Sequence, residues 1–431
     1  MIQYVKLGTC KKDITPTMPL PLAGFATRSG NFQGVAHRLY VRIFVFEQTN
    51  AAGVQSKALI VSADLIWWGN ERMDILRKLL EDQYGICSDS IILQGTHTHS
   101  GPQSSNLHTS TLGKCDMDYV MRLEEILIEG VGQALLSLEP VSIERGNGQC
   151  DMNMNRRKLI NGRVRMAPNE DGPIDREVNV IRFRRMDGSD KAVMVHYACH
   201  PTTTDNDEIS SEYCGVAMEE MEKQLGGDIV CAFMQGCCGD IRPALVHEGE
   251  FFRGVDEDVC MFGKKLYSEV MTVLNQEMTS LMPAMLKSQR IQIPLLLETL
   301  PTLEELQQKQ NTEGTIGAWS RMLLADPNRI QPTVKFDMTL LKIADNLSFL
   351  AMNGEVVVEY GLFLKKKYGG RILPVPYSNG MVGYIPTALQ VQEGGYEGRD
   401  SFAAFGLPAP FIPTLEEEIL RAAEELAQDV L

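Results

Sequence analysis

The chain has 431 residues, enough for two or three domains or for one large α/β unit with a sizeable core. Its 44% hydrophobic and 23% charged residues exclude disorder on a large scale. The net charge of −15 repels a phosphate backbone and an anionic membrane surface, which excludes nucleic acid as a partner on the global field and leaves room only for a local basic pocket.

The opening stretch MIQYVKLGTCKKDITP lacks a basic segment followed by an apolar run and a cleavage site, so no export signal is read there. No window offers the roughly 18 consecutive apolar residues of a membrane helix, and no stable membrane insertion is expected. The ten cysteines are scattered and the adjacent pair Cys237 and Cys238 is a poor disulfide candidate, so reduced thiols and a cytoplasmic location are expected. A homo-oligomer is left open.

Apolar runs predict strands over 57–64, 89–96, 178–186, 192–199, 228–236, 290–297, 338–343 and 347–354, most of them apolar on both faces as in covered sheets. Amphipathic periodicity predicts helices near 71–84, 117–137, 212–225, 257–275, 302–311, 355–368 and 415–428. Asp187-Gly188 between two strand-like runs reads as a hairpin turn. The alternation lacks regular βαβ spacing, so the fold class is α/β (α+β), with a mixed β-sheet core covered by helices in a single domain over 1–431. The polar, helix-leaning stretch 299–335 reads as an insertion or lid. The Pro- and Gly-rich stretch 371–413 reads as long ordered loops, of the kind that carry function.

Four of the seven histidines lie in two short segments that each follow a strand-like run. In GTHTHSGP, His97 and His99 are two apart and share a face if the strand continues, so one can bind a metal while the other acts on substrate or binds a second metal. Equally, both can be hydrogen-bonded histidines at a strand end. His196 and His200 in VHYACHPTT have i, i+4 spacing, but the strand-like AVMV before them and Pro201 after them argue against a helical zinc motif, and no Glu follows the first histidine as H-E-x-x-H requires. His200 is the better ligand; His196 suits a buried structural role.

The segments THTHSGP, CHPTT, QGCCGDIRP, NGE, GYIPT and GYEG, in that order, together with the opening LGTCKKDITP, LAGFATR and VSADL near Asp64, resemble the neutral/alkaline ceramidase family over most of the chain. The resemblance implies an amidase with one zinc per chain, held by His97, His200, Glu355 and Tyr384. It also implies polar groups at the scissile bond in His99, in Arg156 of NRRK and in Tyr396, with Arg157 sharing the short match around Arg156. The chemistry of those residue types agrees. Zinc with N/O ligands lowers the pKa of a water to about 7, and arginine, tyrosine and histidine donors stabilise a tetrahedral oxyanion or carry a proton. Each has a plainer reading: Glu355 as an acidic residue opening a helix, with Glu359 one turn later as the alternative ligand, and both tyrosines as loop-packing aromatics.

One position departs from the resemblance. The family pattern carries a serine where this chain has Arg242, and a guanidinium cannot act as a nucleophile or replace a hydroxyl there. With the chain ending at Leu431, the family's C-terminal immunoglobulin-like domain is not expected. The expectation is therefore a hydrolase acting on a soluble small molecule, with Arg242 pairing with Asp240 or both lying at the substrate. A metallo-β-lactamase motif would need Asp and His where Gly101 and Pro102 stand, and a TIM-barrel amidohydrolase would need its HxH near the start of the barrel. A non-catalytic zinc protein would have no need of His99 and Tyr396.

Overall fold

The structure is a computed structural model that describes residues 4–50 and 53–431; residues 1–3, where the search for an export signal began, and 51–52 lie outside the described residues. A nine-stranded mixed sheet is built from β1 (Val5–Asp13), β2 (Tyr40–Thr49), β3 (Gln55–Ala63), β4 (Ile91–Gly95), β5 (Glu139–Gln149), β6 (Glu177–Arg185), β7 (Asp190–Tyr197) and β8 (Val230–Gln235). Its spatial order is β8-β7-β6-β5-β1-β2-β3-β4, with Thr279–Leu281 as the ninth strand beside β5. Only the outermost pairs, β3 with β4 and β7 with β8, are parallel. The Asp187-Gly188 turn joins β6 to β7 as an antiparallel pair.

A second sheet comprises β9 (Lys287–Leu296), β10 (Thr333–Ala344), β11 (Leu347–Met352) and β12 (Ile372–Val375) in sequential order. The two sheets share one apolar layer, in which Phe44, Phe46, Phe183 and Met194 meet Leu341, Phe349, Leu373 and Val375. The alternation of β2 shows why both faces are apolar: Phe44 and Phe46 enter this layer, while Val41, Ile43 and Val45 face helices. Helices α1 (Asn70–Tyr84) and α2 (Met117–Leu136) cover that half of the outer face, and α3 (Glu212–Leu225) and α4 (Asp256–Leu274) cover the other.

Between β9 and β10 lie two helices, α5 (Leu303–Lys309) and α6 (Thr315–Ala325). They fall in the stretch read as an insertion or lid, and they pack through Leu306, Trp319 and Leu323 on Ala403 and Phe402. The indole of Trp319 donates to the carbonyl of Leu407 at 2.7 Å. Helices α7 (Val358–Lys367) and α8 (Leu415–Val430) cover the outer face of the second sheet. Among the described residues no helix is long and apolar enough to cross a membrane.

Several expectations need correction. The helix expected from 355 begins at Val358, because Glu355–Val356 first pairs in parallel with Tyr384–Ile385. The stretch 371–413 holds β12, that short ladder, a helical turn at Ala388–Glu393 and a π-helical turn at Tyr396–Asp400. Strand β5 was not expected because EPVSIERGNGQ is polar and glycine-rich. Its buried Val141 and Ile143 alternate, and a Cβ at Gly146 would stand 2.6 Å from Val273 of α4.

Candidate metal centre

The site forms where the two parallel outermost pairs end. Gln94, the penultimate residue of β4, and Gln235, the last of β8, join these ends. The Gln94 amide donates to the Gln235 carbonyl at 3.0 Å and its oxygen accepts from the Gln235 N–H at 3.1 Å. The Gln235 amide in turn donates to the carbonyls of Thr96 at 3.1 Å and Cys199 at 2.9 Å. The residues just past those two carbonyl-bearing positions are His97 and His200.

His97 adopts φ 69°, a left-handed conformation that a non-glycine residue rarely takes. Its N–H bonds the Leu65 carbonyl at 2.9 Å, and Nδ1–H donates to the Ile66 carbonyl at 2.9 Å. In His200, Nδ1–H donates to the Cys238 carbonyl at 2.6 Å. A carbonyl can only accept, so each ring carries its proton on Nδ1 and turns the lone pair of Nε2 into the site. Both Nε2 atoms lie 3.2 Å from the same oxygen, Glu355 Oε2.

Burial, then the charge of Arg156, pushes His200 down to about 4, so its ring is neutral near pH 7. Lone pairs therefore face a carboxylate across 3.2 Å. His200 Nε2 and Glu355 Oε2 are buried with no hydrogen-bond partner in the structure. A donor set of two imidazole nitrogens and a carboxylate oxygen, all turned inward and two of the three unsatisfied, fits a divalent cation such as zinc.

The remaining candidates surround this triangle. Tyr384 is the ladder partner of Glu355, and its hydroxyl accepts from Arg156 Nη2 at 2.9 Å. Burial pushes that phenol well above its usual range, against the opposing pull of Arg156. Arg156 Nε and Arg157 Nη1 bind the two oxygens of Glu397 at 2.7 and 3.0 Å. The register shift between Asn155 and Arg157 lets consecutive residues reach one carboxylate. Arg156 faces Tyr384, while Arg157 turns away to Glu393. The Tyr396 ring meets Tyr384 at 5.3 Å and is 36% exposed, so it reaches solvent beside Tyr384.

His99 Nε2 lies 3.1 Å from His97 Nε2, and ligand atoms of His97, His99 and His200 all fall within 4.8 Å of one another. His99 is thus as near as a ligand would be; the two-residue spacing leaves it to act on substrate or bind a second metal, and the family resemblance implies a place for it at the scissile bond. Burial, then His97 and His200, push it well below its usual pKa.

The loop from Gly236 to Asp240 knits the parts together. Cys238 supplies the carbonyl for His200, Gly239 N–H bonds the Val356 carbonyl at 2.9 Å, and the Asp240 carbonyl accepts from Arg156 N–H at 2.9 Å. A Cβ at Gly239 would stand 2.7 Å from the Glu355 carbonyl, so the close approach requires glycine.

Asp240, expected at the substrate or paired with Arg242, is not paired with Arg242. It is fully buried, and its carboxylate accepts from Val358 N–H at 2.9 Å, Gln390 at 3.1 Å and Asn155 at 3.3 Å. Glu359, the alternative ligand, stands with it: burial and Asp240 push Glu359 up to about 8, and it accepts from Gln390 rather than facing the histidines. His196 continues the β7 face of Ala192 and Met194 into the intersheet layer, and its Nε2 donates to the Pro374 carbonyl at 2.8 Å.

A family model described as neutral/alkaline non-lysosomal ceramidase, N-terminal, matches residues 5–290. The chain belongs to that family. Neutral ceramidase B of Dictyostelium discoideum is 27% identical over 258 residues, covering 55% of this chain and 35% of the relative. Neutral ceramidase of Pseudomonas aeruginosa is 25% identical over 254 residues, covering 56% and 37%. This chain thus matches little more than a third of these curated relatives' length. The crystal structure of the Pseudomonas aeruginosa neutral ceramidase superposes with a TM-score of 0.77 at 18% identity, covering 99% of this chain and 74% of that one, which shows a common fold. Glu355, Tyr384 and Tyr396 lie beyond residue 290.

Sequence reasoning missed Gln94, Gln235, Tyr377 and Glu397. Gln235 and Glu397 sit inside QGCCGDIRP and GYEG, where only neighbours were singled out. Tyr377 stacks on His97 with ring centroids 4.1 Å apart, and its hydroxyl lies 3.1 Å from Cys238 Sγ. Nothing in the sequence around it marks that role.

Proposed function

We propose that this member of the ceramidase family is a zinc-dependent hydrolase that cleaves an amide bond of a polar small molecule. The observation that carries the reading is the pair of Nε2 lone pairs from His97 and His200 directed at one oxygen of Glu355. One zinc ion, held by those three side chains and Tyr384, would supply a Lewis acid and lower the pKa of a water to about 7.

The chain's own groups do the rest. His99, kept neutral by burial, takes up a proton and returns it to the departing nitrogen. Arg156 is aimed by Glu397, and with the Tyr396 hydroxyl it donates to the oxygen that gathers charge as the carbonyl carbon becomes tetrahedral. Arg242 stands where the family pattern has a serine, so no hydroxyl is offered at that point, and a soluble substrate is favoured over ceramide.

Elemental analysis of protein purified without added metal, followed by assay of N-acyl amides of graded polarity and of ceramide, tests the reading. Stoichiometric zinc with turnover of polar amides is expected. Turnover that survives complete removal of metal, or efficient cleavage of long-chain ceramide in preference to polar amides, overturns it.

A further inference from the structure

Three arginines lie on the side of the site where His99 stands, and their hydrogen bonds divide them. Arg28 commits its guanidinium to loops: Nε donates to the Asp205 carbonyl at 3.3 Å, Nη1 to the carbonyls of Ala23 and His99, and Nη2 to the Asn206 carbonyl at 2.7 Å and Ser100 Oγ at 3.2 Å. It is a clamp with no donor to spare. Arg242 and Arg253 are different. Arg242 donates from Nη2 to the Phe252 carbonyl at 3.1 Å, and Arg253 donates from Nη1 to the Thr202 carbonyl at 2.7 Å.

Arg242 is only 5% exposed, and its Nε is buried with no partner. Asp205 is felt electrostatically at both arginines, and Glu212 at Arg253, yet no ion pair forms with either. Asp240, the nearest acid in sequence to Arg242, has its oxygens engaged elsewhere. Burial, then the charges of Arg253 and Arg156, bring Arg242 down to about 9. The fold thus sets a buried Arg242 beside a half-buried Arg253, which is costly without an anion to receive their donors.

Their surroundings suit a planar anion. The Arg242 guanidinium lies 4.4 Å from the centroid of Phe251 and that of Arg253 4.4 Å from the centroid of Phe25. Phe25 in turn meets the His99 ring at 4.9 Å, so a single aromatic ring separates Arg253 from the proton-carrying histidine. Stacking leaves the edge of a guanidinium free, and that edge matches a carboxylate or phosphate.

We propose that Arg242 and Arg253 form an oxyanion subsite that receives a carboxylate or phosphate group carried by the substrate, next to the bond that His99 serves. The subsite rests on the proposed amide hydrolysis for its purpose but not for its existence. It replaces the hydroxyl of the family pattern with a charge that selects a different class of amide, one bearing a negative group close to the scissile bond.

The test is calorimetric titration of the intact, metal-loaded protein with hippurate, its neutral twin hippuramide, and N-benzoylaminomethylphosphonate, alongside hydrolysis of the same three. Both anionic compounds are expected to bind at least about tenfold more tightly than hippuramide. A tighter phosphonate marks a phosphate substrate and a tighter hippurate a carboxylate. Arg242→Met and Arg253→Met should each bring the ratio towards one, while Arg242→Lys keeps part of it. Hippuramide binding as well as hippurate would overturn the proposal, as would failure of both anions to bind at millimolar concentration. A preference that survives both methionine variants would also overturn it, since the receptor would then be the metal. Anion preference without turnover would leave the subsite standing and remove the hydrolase reading; turnover of all three with equal KM would do the reverse.

Discussion

Gln94 and Gln235 hold each other through paired side-chain and main-chain hydrogen bonds at the ends of β4 and β8, and so fix the separation of His97 and His200. The two strands lie at opposite ends of the nine-stranded order, and no ladder pairs them. The amides do what a ladder would do. Gln235→Ala would orphan the Thr96 carbonyl and the Cys199 N–H in a dry interior, while the Cys199 carbonyl keeps the Tyr213 hydroxyl, at a cost of about 2 to 4 kcal/mol. A parallel loss of metal affinity of about 10- to 100-fold is expected, since the carbonyls and loops that orient the ligands would relax. Denaturant unfolding and competition with a chelator measure the two effects separately. Full metal affinity in a destabilised Gln235→Ala protein would show that the amide serves folding alone.

The histidines divide by a second measurement. His97→Ala and His200→Ala should each abolish stoichiometric metal, because each removes one of the inward lone pairs. His99→Ala should keep the metal while losing about 10²- to 10⁴-fold in rate. Loss of metal from the His99 variant would make it a ligand, as its 3.1 Å approach to His97 also allows.

The residues that the sequence made legible are those whose chemistry is rare. Histidine pairs after apolar strands, a glycine-cysteine loop and two tyrosines in Gly-Tyr segments stand out from a chain of aliphatic residues, and the covered strands announced themselves by runs such as KALIVSAD. What stayed hidden depended on contact between distant segments. The pairing of β5 rests on two alternating aliphatics in a polar stretch, and the role of Tyr377 on a stack with a residue 280 positions earlier. Asp240 misled for the same reason. An acid two residues from Arg242 looks like its partner until the fold turns it onto the start of α7.

Gly24 should prove critical for His99. Its φ of 92° is one that L side chains rarely adopt, and a Cβ there would stand 2.3 Å from His99 Nδ1. Gly24→Ala therefore forces the imidazole to move, and a misplacement of about 1 Å costs on the order of 10²-fold in rate. Strain of about 1 to 3 kcal/mol should accompany it. Steady-state kinetics beside a thermal melt reads both, and an unchanged rate would mean that the position of His99 is unimportant to turnover.

Stability should fall on the acid side for a reason separate from the site. Burial pushes His108 down to about 4, and burial with Lys365 pushes His196 down to about 3, against 6.5 for a free histidine. The unfolded chain therefore takes up these protons first. Their contribution is complete above about pH 6.5 and is lost as pH falls towards 4 and then 3, by about 1.4 kcal/mol per pH unit for each histidine. Replacing His196 by Gln should make the acid limb of a stability-versus-pH curve shallower by that amount. An unchanged slope would mean that this histidine is not held neutral.

Arg156 and Glu397 should behave as one unit. Both are buried, the pair is bonded at 2.7 Å, and Glu397 stays ionised because Arg156 and Arg157 outweigh the effect of its burial. Glu397→Gln keeps the shape and one acceptor but removes the charge that aims the guanidinium, while Arg156→Lys keeps a charge and loses the fork that reaches both Glu397 and Tyr384. Each should lower kcat by about 10²- to 10³-fold if Arg156 stabilises the developing oxyanion, with little change in KM. The double variant should cost scarcely more than either single one, because removing Glu397 already disarms Arg156. Additive losses would separate the two residues, and a change confined to KM would move Arg156 from the reacting oxygen to the binding of substrate.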